Sequence, residues 1–167
     1  MENIKVKDSR VYALAAMYDM QTGLFKNALE GINDTDAHSR FETKANHIAW
    51  LAGSMVQQRY EMAELLGKGI GRQQANDLFK DMQGIKENLT YPALDQYIAD
   101  WEKITPAMRE AIVNADAETL DKMLDMGPDM KFTYFEMLYF MIYREASIIG
   151  QIALWRRLLG YDAMKYM

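Results

Sequence analysis

The sequence has 167 residues, half of them apolar and 26% charged, with a formal net charge of −5 at pH 7. This composition is typical of one folded domain and excludes disordered, collagen-like and low-complexity chains. Without cysteine the chain has no disulfide, thiol nucleophile, zinc ribbon or iron–sulfur cluster, and its two histidines cannot supply a site of three imidazoles. The length predicts a single domain over residues 1–167, and we expect it to hold no metal and no cofactor.

Charge and hydropathy also exclude two classes of partner. Nucleic-acid binding needs a stripe of basic residues, whereas the only basic cluster is Arg156-Arg157. The longest uncharged run, 45–58, has 14 residues and includes polar side chains, so it is too short and too polar to span a membrane. The N-terminal residues lack the features of a secretory signal. We therefore expect a cytoplasmic protein without nucleic-acid or membrane partners.

The first half of the chain predicts two long helices. Apolar residues at three- and four-residue steps indicate a first helix over 9–30, which Gly31 ends. A polar connection at 33–40 leads to a second helix over 43–66. The glycine-rich segment 67–71 closes this second helix.

A crossover and a third helix follow. Residues 73–85 predict a short, partly helical connection, and the third helix begins near Pro92, a residue suited to a first helical turn. Pro106 either kinks this helix or marks a restart with Thr105 as the N-cap. Another short helix is predicted over 117–124.

The fourth helix has the clearest signal in the sequence. Thr133-x-x-Glu136 is a capping box, and an unbroken helical pattern continues from it to Leu159. No segment favours a β-strand. We therefore predict an all-α fold, a four-helix bundle with long crossover connections and short extra helices before the fourth helix.

Polar residues occupy positions that should face inward. On the fourth helix, Arg144 and Gln151 interrupt an apolar stripe, and three polar side chains align on the second helix: Ser54, Gln58 and Glu61. Because a guanidinium keeps its charge in a protein interior, an inward Arg144 needs an anionic or carbonyl partner, for which Glu61 and Asp19 are candidates. The alternative is that the stripe is rotated and Arg144 lies at the edge of the bundle.

The two histidines do not form a known metal motif. Neither has a glutamate three residues before it, so the Glu-x-x-His pairs of di-iron bundles are absent, as is His-Glu-x-x-His. We expect His38 and His47 to be surface or capping side chains.

Two segments resemble the DinB/YfiT-like superfamily of small four-helix bundles. They are 46–53 (NHIAWLAG) on the second helix and 146–160 (ASIIGQIALWRRLLG) on the fourth, and helix order and length also agree. Members with a site hold a metal through three histidines, which the resemblance aligns with Ser54, Arg144 and Ile148. It thus implies that this chain has lost the metal, and with it the thiol activation used by the superfamily's enzymes. Gly150 is expected to make a close helix–helix contact.

Three functions remain open. The first is a metal-free, non-enzymatic bundle that binds a small anionic ligand, with a pocket formed by Ser54, Gln58, Glu61, Arg144, Ile148 and Gln151. The second is a transferase-type enzyme working without metal, with Glu61 or Glu145 as the base and Arg144 stabilising an oxyanion. The third is a structural or regulatory homodimer that uses a Met- and Tyr-rich surface. A non-enzymatic role is favoured, because no spacing singles out a catalytic pair.

Overall fold

Four long helices form the body of the protein in a computed structural model that describes residues 4–166. In chain order the helices are α1 (Tyr12–Leu29), α2 (Asp34–Ala37), α3 (Ile48–Leu65), α4 (Leu94–Asn114), α5 (Ala117–Leu120) and α6 (Tyr134–Leu158). The prediction of an all-α fold with four long helices is confirmed. None of the helices within residues 4–166 combines the length and hydrophobicity that crossing a lipid bilayer requires.

The four long helices enclose one continuous apolar core. α1 and α3 each pack against both α4 and α6, so α1 and α3 lie diagonally opposite each other. The chain must therefore cross the bundle between them, which explains the long connections. The largest fully buried aromatic side chains are Trp101, Tyr18, Tyr97 and Phe25.

The helix ends follow capping chemistry. The Oγ1 of Thr133 accepts the backbone N–H of Glu136 at 3.1 Å, and the Glu136 carboxylate accepts the backbone N–H of Thr133, so the predicted capping box is present. α3 begins at Ile48 rather than 43, because residues 40–45 form a hydrogen-bonded turn with positive φ at Phe41 and Glu42. The predicted start of the second helix was therefore too early.

In the second half of the chain, the structure decides the role of Pro106 and shows a short β-hairpin. α4 runs through Pro106 as one helix, and Thr105 is not an N-cap, since its Oγ1 donates to the carbonyl of Trp101 one turn earlier. The short helix predicted over 117–124 is too long, because α5 ends at Leu120 and Met123–Asp125 (β1) instead pairs antiparallel with Lys131–Thr133 (β2). Strands of three residues are too short to show an alternating pattern in the sequence.

Candidate functional site

A cavity of about 320 Å³ lies where α3, the first half of α6 and the 73–85 crossover meet. Of the described residues that line it, Arg144 and Glu61 are the charged ones. Three side-chain amides also line it: Gln57, Gln58 and Gln83. The rest of the wall is apolar and is formed by Trp50, Phe79, Met82, Met137 and Phe140. An apolar cavity with a few convergent polar groups is the usual form of a small-molecule site.

Arg144 reaches from α6 across to α3. Its Nη1 donates to Oε1 of Gln58 at 2.5 Å and to the carbonyl oxygen of Ser54 at 3.4 Å, and its Nη2 donates to Oγ of Ser54 at 2.6 Å. All three acceptors are uncharged, and Arg144 forms no ion pair within residues 4–166. Burial lowers the pKa of Arg144, against the opposing effect of the Glu61 and Glu145 carboxylates.

Glu61 is held at the same cavity by a network of amides. Nε2 of Gln57 donates to Oε1 of Glu61 at 2.8 Å and to Oδ1 of Asn76 at 3.1 Å. Oε1 of Gln57 in turn accepts from Nε2 of Gln73 at 2.8 Å. Because Gln57 and Gln73 are both buried, the exposed carboxylate of Glu61 has a fixed anchor.

The structure brings together four of the six predicted pocket residues. Ser54, Gln58, Glu61 and Arg144 share the cavity, whereas Ile148 and Gln151 do not line it. Ile148 is buried in the core at 3% exposure, and Gln151 is exposed.

Gln151 lines a second, larger groove of about 610 Å³ between the 41–45 turn and the end of α6. That groove is also lined by Phe41, Leu154, Trp155 and Leu158, and none of its lining residues within 4–166 has an ionisable side chain. Its polar groups are uncharged, whereas the smaller cavity has two charged side chains and is therefore the better candidate for specific recognition.

The two carboxylates expected as partners of Arg144 do not pair with it. Asp19 instead accepts two hydrogen bonds from Arg109, from Nε at 2.7 Å and from Nη2 at 2.9 Å. Glu61 lines the cavity without forming an ion pair with Arg144 within residues 4–166. Neither candidate is therefore the partner of Arg144, whose half-buried guanidinium is bound by the neutral groups of Ser54 and Gln58.

A buried ion pair that the sequence analysis missed lies beside the cavity. Arg59 donates to both oxygens of Glu145, from Nε at 2.7 Å and from Nη2 at 2.8 Å, and both side chains are fully buried. Arg59 also lies against the rings of Trp101 and Tyr18, with its Cζ at 3.3 and 3.9 Å from their centroids. Hence Glu145 has no access to the cavity and cannot serve there as a base.

A signal for this pair was present in the sequence. Arg59 lies four residues after Met55 and three before Met62, and Glu145 lies in the same way between Met141 and Ile148. Both charges therefore belong to the buried stripes of α3 and α6. Two opposite charges on the inward faces of two packed helices predict a buried pair.

His47 is the N-cap of α3, so the capping role expected as one of two possibilities is confirmed. Its Nδ1 accepts the backbone N–H of Trp50 at 3.0 Å. Burial, reinforced by the nearby charges of His38 and Arg40, lowers the pKa of His47 to about 4. The ring is therefore neutral at pH 7, which leaves Nδ1 able to accept. Both ring nitrogens of His38 contact backbone carbonyls, those of Asp34 and Tyr91.

The residues at the cavity do not suit a metal ion. Among the described residues, no three His, Cys, Asp or Glu side chains are grouped so that they could hold one. At the positions that the resemblance aligns with metal ligands, Arg144 is a fixed cation and Ile148 has no donor atom. No chemical step is therefore assigned to a metal here.

Comparison with known proteins identifies the fold class only. No protein-family model matches the chain, and no curated protein matches it. Among solved structures, a conserved protein from Enterococcus faecalis is similar with a TM-score of 0.70 over 93% of this chain and 98% of its own. The two sequences are 13% identical, so the similarity shows that they share the all-α fold and nothing about activity.

Proposed function

We propose that this protein is a metal-free member of the DinB/YfiT-like superfamily that binds a small anionic ligand in the Arg144 cavity. The segments 46–53 and 146–160 support the superfamily, and the bundle of four long helices is consistent with it. The observation that carries the ligand class is the charge of Arg144. It faces an apolar cavity and is hydrogen-bonded to neutral groups alone within residues 4–166.

A half-buried cation that forms no ion pair within the described residues is a costly arrangement in a folded protein. Removing a charge from water raises its free energy unless an opposite charge or good hydrogen bonds compensate. Arg144 uses three donor–acceptor contacts, and its Nε–H and one N–H of Nη2 form no hydrogen bond within residues 4–166. A carboxylate or another anion would supply both the missing charge and the missing acceptors.

Thermal unfolding in the presence of 3-phenylpropanoate or hexanoate tests the proposal. Each probe combines a carboxylate with an apolar body that matches the cavity wall. At saturating ligand we expect the wild-type Tm to rise by about 5 °C or more. Arg144→Met removes the guanidinium and should abolish this rise, and Arg144→Lys, which keeps the charge without the planar fork, should retain part of it.

Arg157→Met is the matched control. Arg157 is exposed on the same helix and lies outside the cavity, with Nη1 donating to the carbonyl of Tyr161. This variant removes the same charge and should keep the wild-type rise in Tm. An equal rise in wild type and Arg144→Met, or no rise with either probe, contradicts the proposal.

The outward face of α6 supports a second proposal, that the protein forms a homodimer. Between residues 139 and 154 the exposed side chains of this helix carry no charge, because Arg144 and Glu145 both turn inward. They include four large hydrophobic side chains: Tyr139, Phe140, Tyr143 and Leu154. In a chain with a net charge of −5, an uncharged apolar face is a surface on which two copies can meet without repulsion.

Light scattering after size exclusion tests the homodimer. We expect the wild type to elute at twice the mass of the chain and Tyr143→Glu to elute as a monomer. Tyr166→Glu is the control, since Tyr166 is as exposed as Tyr143, 69% against 67%, but lies beyond α6. A wild-type protein of monomeric mass contradicts the proposal.

A further inference from the structure

We infer that the ligand of the Arg144 cavity is a zwitterion of the α-amino acid type with an apolar side chain, bound through its carboxylate by Arg144 and through its ammonium by Glu61. This inference rests on the proposed function and adds to the anionic ligand an ammonium group and an apolar side chain. It follows from the arrangement of Glu61, Arg144 and the apolar wall around one cavity.

The cavity offers one full negative charge as well as one full positive charge. A simple anion at Arg144 would leave without a partner the Glu61 carboxylate, which is close enough to act electrostatically on Arg144. A ligand with adjacent opposite charges satisfies both side chains. The amide of Gln57 binds only Oε1 of Glu61, and no other hydrogen bond to this carboxylate is formed within residues 4–166.

The positions of the two charged side chains along α3 allow one small ligand to reach both. Arg144 is bound at the level of Ser54 and Gln58, and Glu61 lies seven residues beyond Ser54 and three beyond Gln58 on the same helix. These separations correspond to rises of about 10.5 and about 4.5 Å, so the Gln58 side of the guanidinium is the side nearer to Glu61. The carboxylate and ammonium of an α-amino acid are carried by neighbouring carbon atoms, so one molecule can reach both side chains.

The remaining wall indicates what the side chain of the ligand must be. Phe79 and Met82 come from the crossover, Met137 and Phe140 from α6, and Trp50 from α3. Aromatic and thioether groups attract aromatic rings through dispersion and edge contacts. A volume of about 320 Å³ is at the lower end of small-molecule pockets and suits a single amino acid better than a large cofactor.

Calorimetric titration with three probes of the same shape tests the inference. L-phenylalanine carries both charges, 3-phenylpropanoate lacks the ammonium, and 2-phenylethylamine lacks the carboxylate. We expect L-phenylalanine to bind about tenfold or more tightly than either of the others, because each charge-assisted hydrogen bond contributes that much. In Glu61→Gln, which keeps the shape and removes the charge, the affinities for L-phenylalanine and 3-phenylpropanoate should become similar.

The same titrations separate this inference from the proposed function. If 3-phenylpropanoate binds the wild type as tightly as L-phenylalanine does, the zwitterion is wrong. If Arg144→Met then fails to bind 3-phenylpropanoate, the proposed anion site at Arg144 is still supported. If Arg144→Met binds both acids like the wild type, the proposed function fails together with the inference. If Glu61→Gln still binds L-phenylalanine more tightly than 3-phenylpropanoate by the wild-type factor, the role of Glu61 is also wrong.

Glu64→Gln is the control. Glu64 is exposed on the same helix and lies outside this cavity, so its replacement should leave all three affinities unchanged.

Discussion

Replacement of Glu145 by glutamine is expected to lower the free energy of unfolding by about 3–5 kcal/mol. The change keeps the shape of the side chain and removes its charge, so the fully buried guanidinium of Arg59 loses its counterion. The other partners of Arg59 are uncharged: Nη1 donates to the hydroxyls of Tyr18, Thr22 and Thr105. They cannot replace the carboxylate. Urea unfolding monitored by circular dichroism measures the loss.

Two further variants show whether the lower stability of Glu145→Gln comes from the unpaired charge of Arg59. Arg59→Met combined with Glu145→Met removes both charges and should recover much of the stability lost in Glu145→Gln. Glu102→Gln breaks the exposed ion pair with Lys26 and should cost less than about 1 kcal/mol. A Glu145→Gln protein as stable as the Glu102→Gln protein would contradict the role assigned to the buried pair.

Replacement of Gly53 by alanine is expected to destabilise the protein by about 1–2 kcal/mol. A Cβ at this position would lie 2.3 Å from Cζ of Phe79 and 2.6 Å from Cε1 of Tyr97, and both rings are buried. These contacts are far shorter than van der Waals distances, so the rings must shift within a packed core. The cost outweighs the gain in helix propensity, which is about 1 kcal/mol for alanine over glycine.

Gly150→Ala is the matched control, with an effect of the opposite sign. Gly150 is also inside a long helix, but it is exposed, and no described atom beyond its two chain neighbours and the backbone of its own helix lies within 4 Å of the position of an added Cβ. The expected close helix–helix contact at Gly150 is therefore absent within residues 4–166. Alanine should raise the free energy of unfolding by about 0.5–1 kcal/mol. Thermal unfolding of both variants in parallel would refute this account if Gly53→Ala were the more stable of the two.

The fold was predictable because helical periodicity and end signals agree along the chain. The capping box at Thr133 and Glu136 marked the start of α6 to the residue, and Gly160 marked its end. The rotation of α6 was harder to predict, since its outward face is also apolar. Its buried stripe is formed by Leu138, Met141, Ile142, Glu145, Ile148, Ile149, Ile152, Trp155 and Arg156. This stripe contains Glu145 rather than Gln151.

Helical periodicity also allowed part of the candidate site to be predicted. Ser54 and Gln58 follow from the spacing on α3, and Arg144 borders the buried stripe closely enough to reach them. The apolar wall formed by Phe79 could not be predicted, because the crossover has no periodicity that would orient it. The close approach of Phe79 to Gly53 likewise joins segments whose packing no local pattern specifies.

A crystal structure of the protein with 3-phenylpropanoate tests the central claim most directly. The account predicts that a carboxylate oxygen lies within hydrogen-bonding distance of Nε or Nη2 of Arg144, with the phenyl ring against Phe79 and Phe140. Binding of the probe only in the larger groove beside Trp155 would contradict it. So would a probe carboxylate bound elsewhere in the cavity while Arg144 contacts only Ser54 and Gln58.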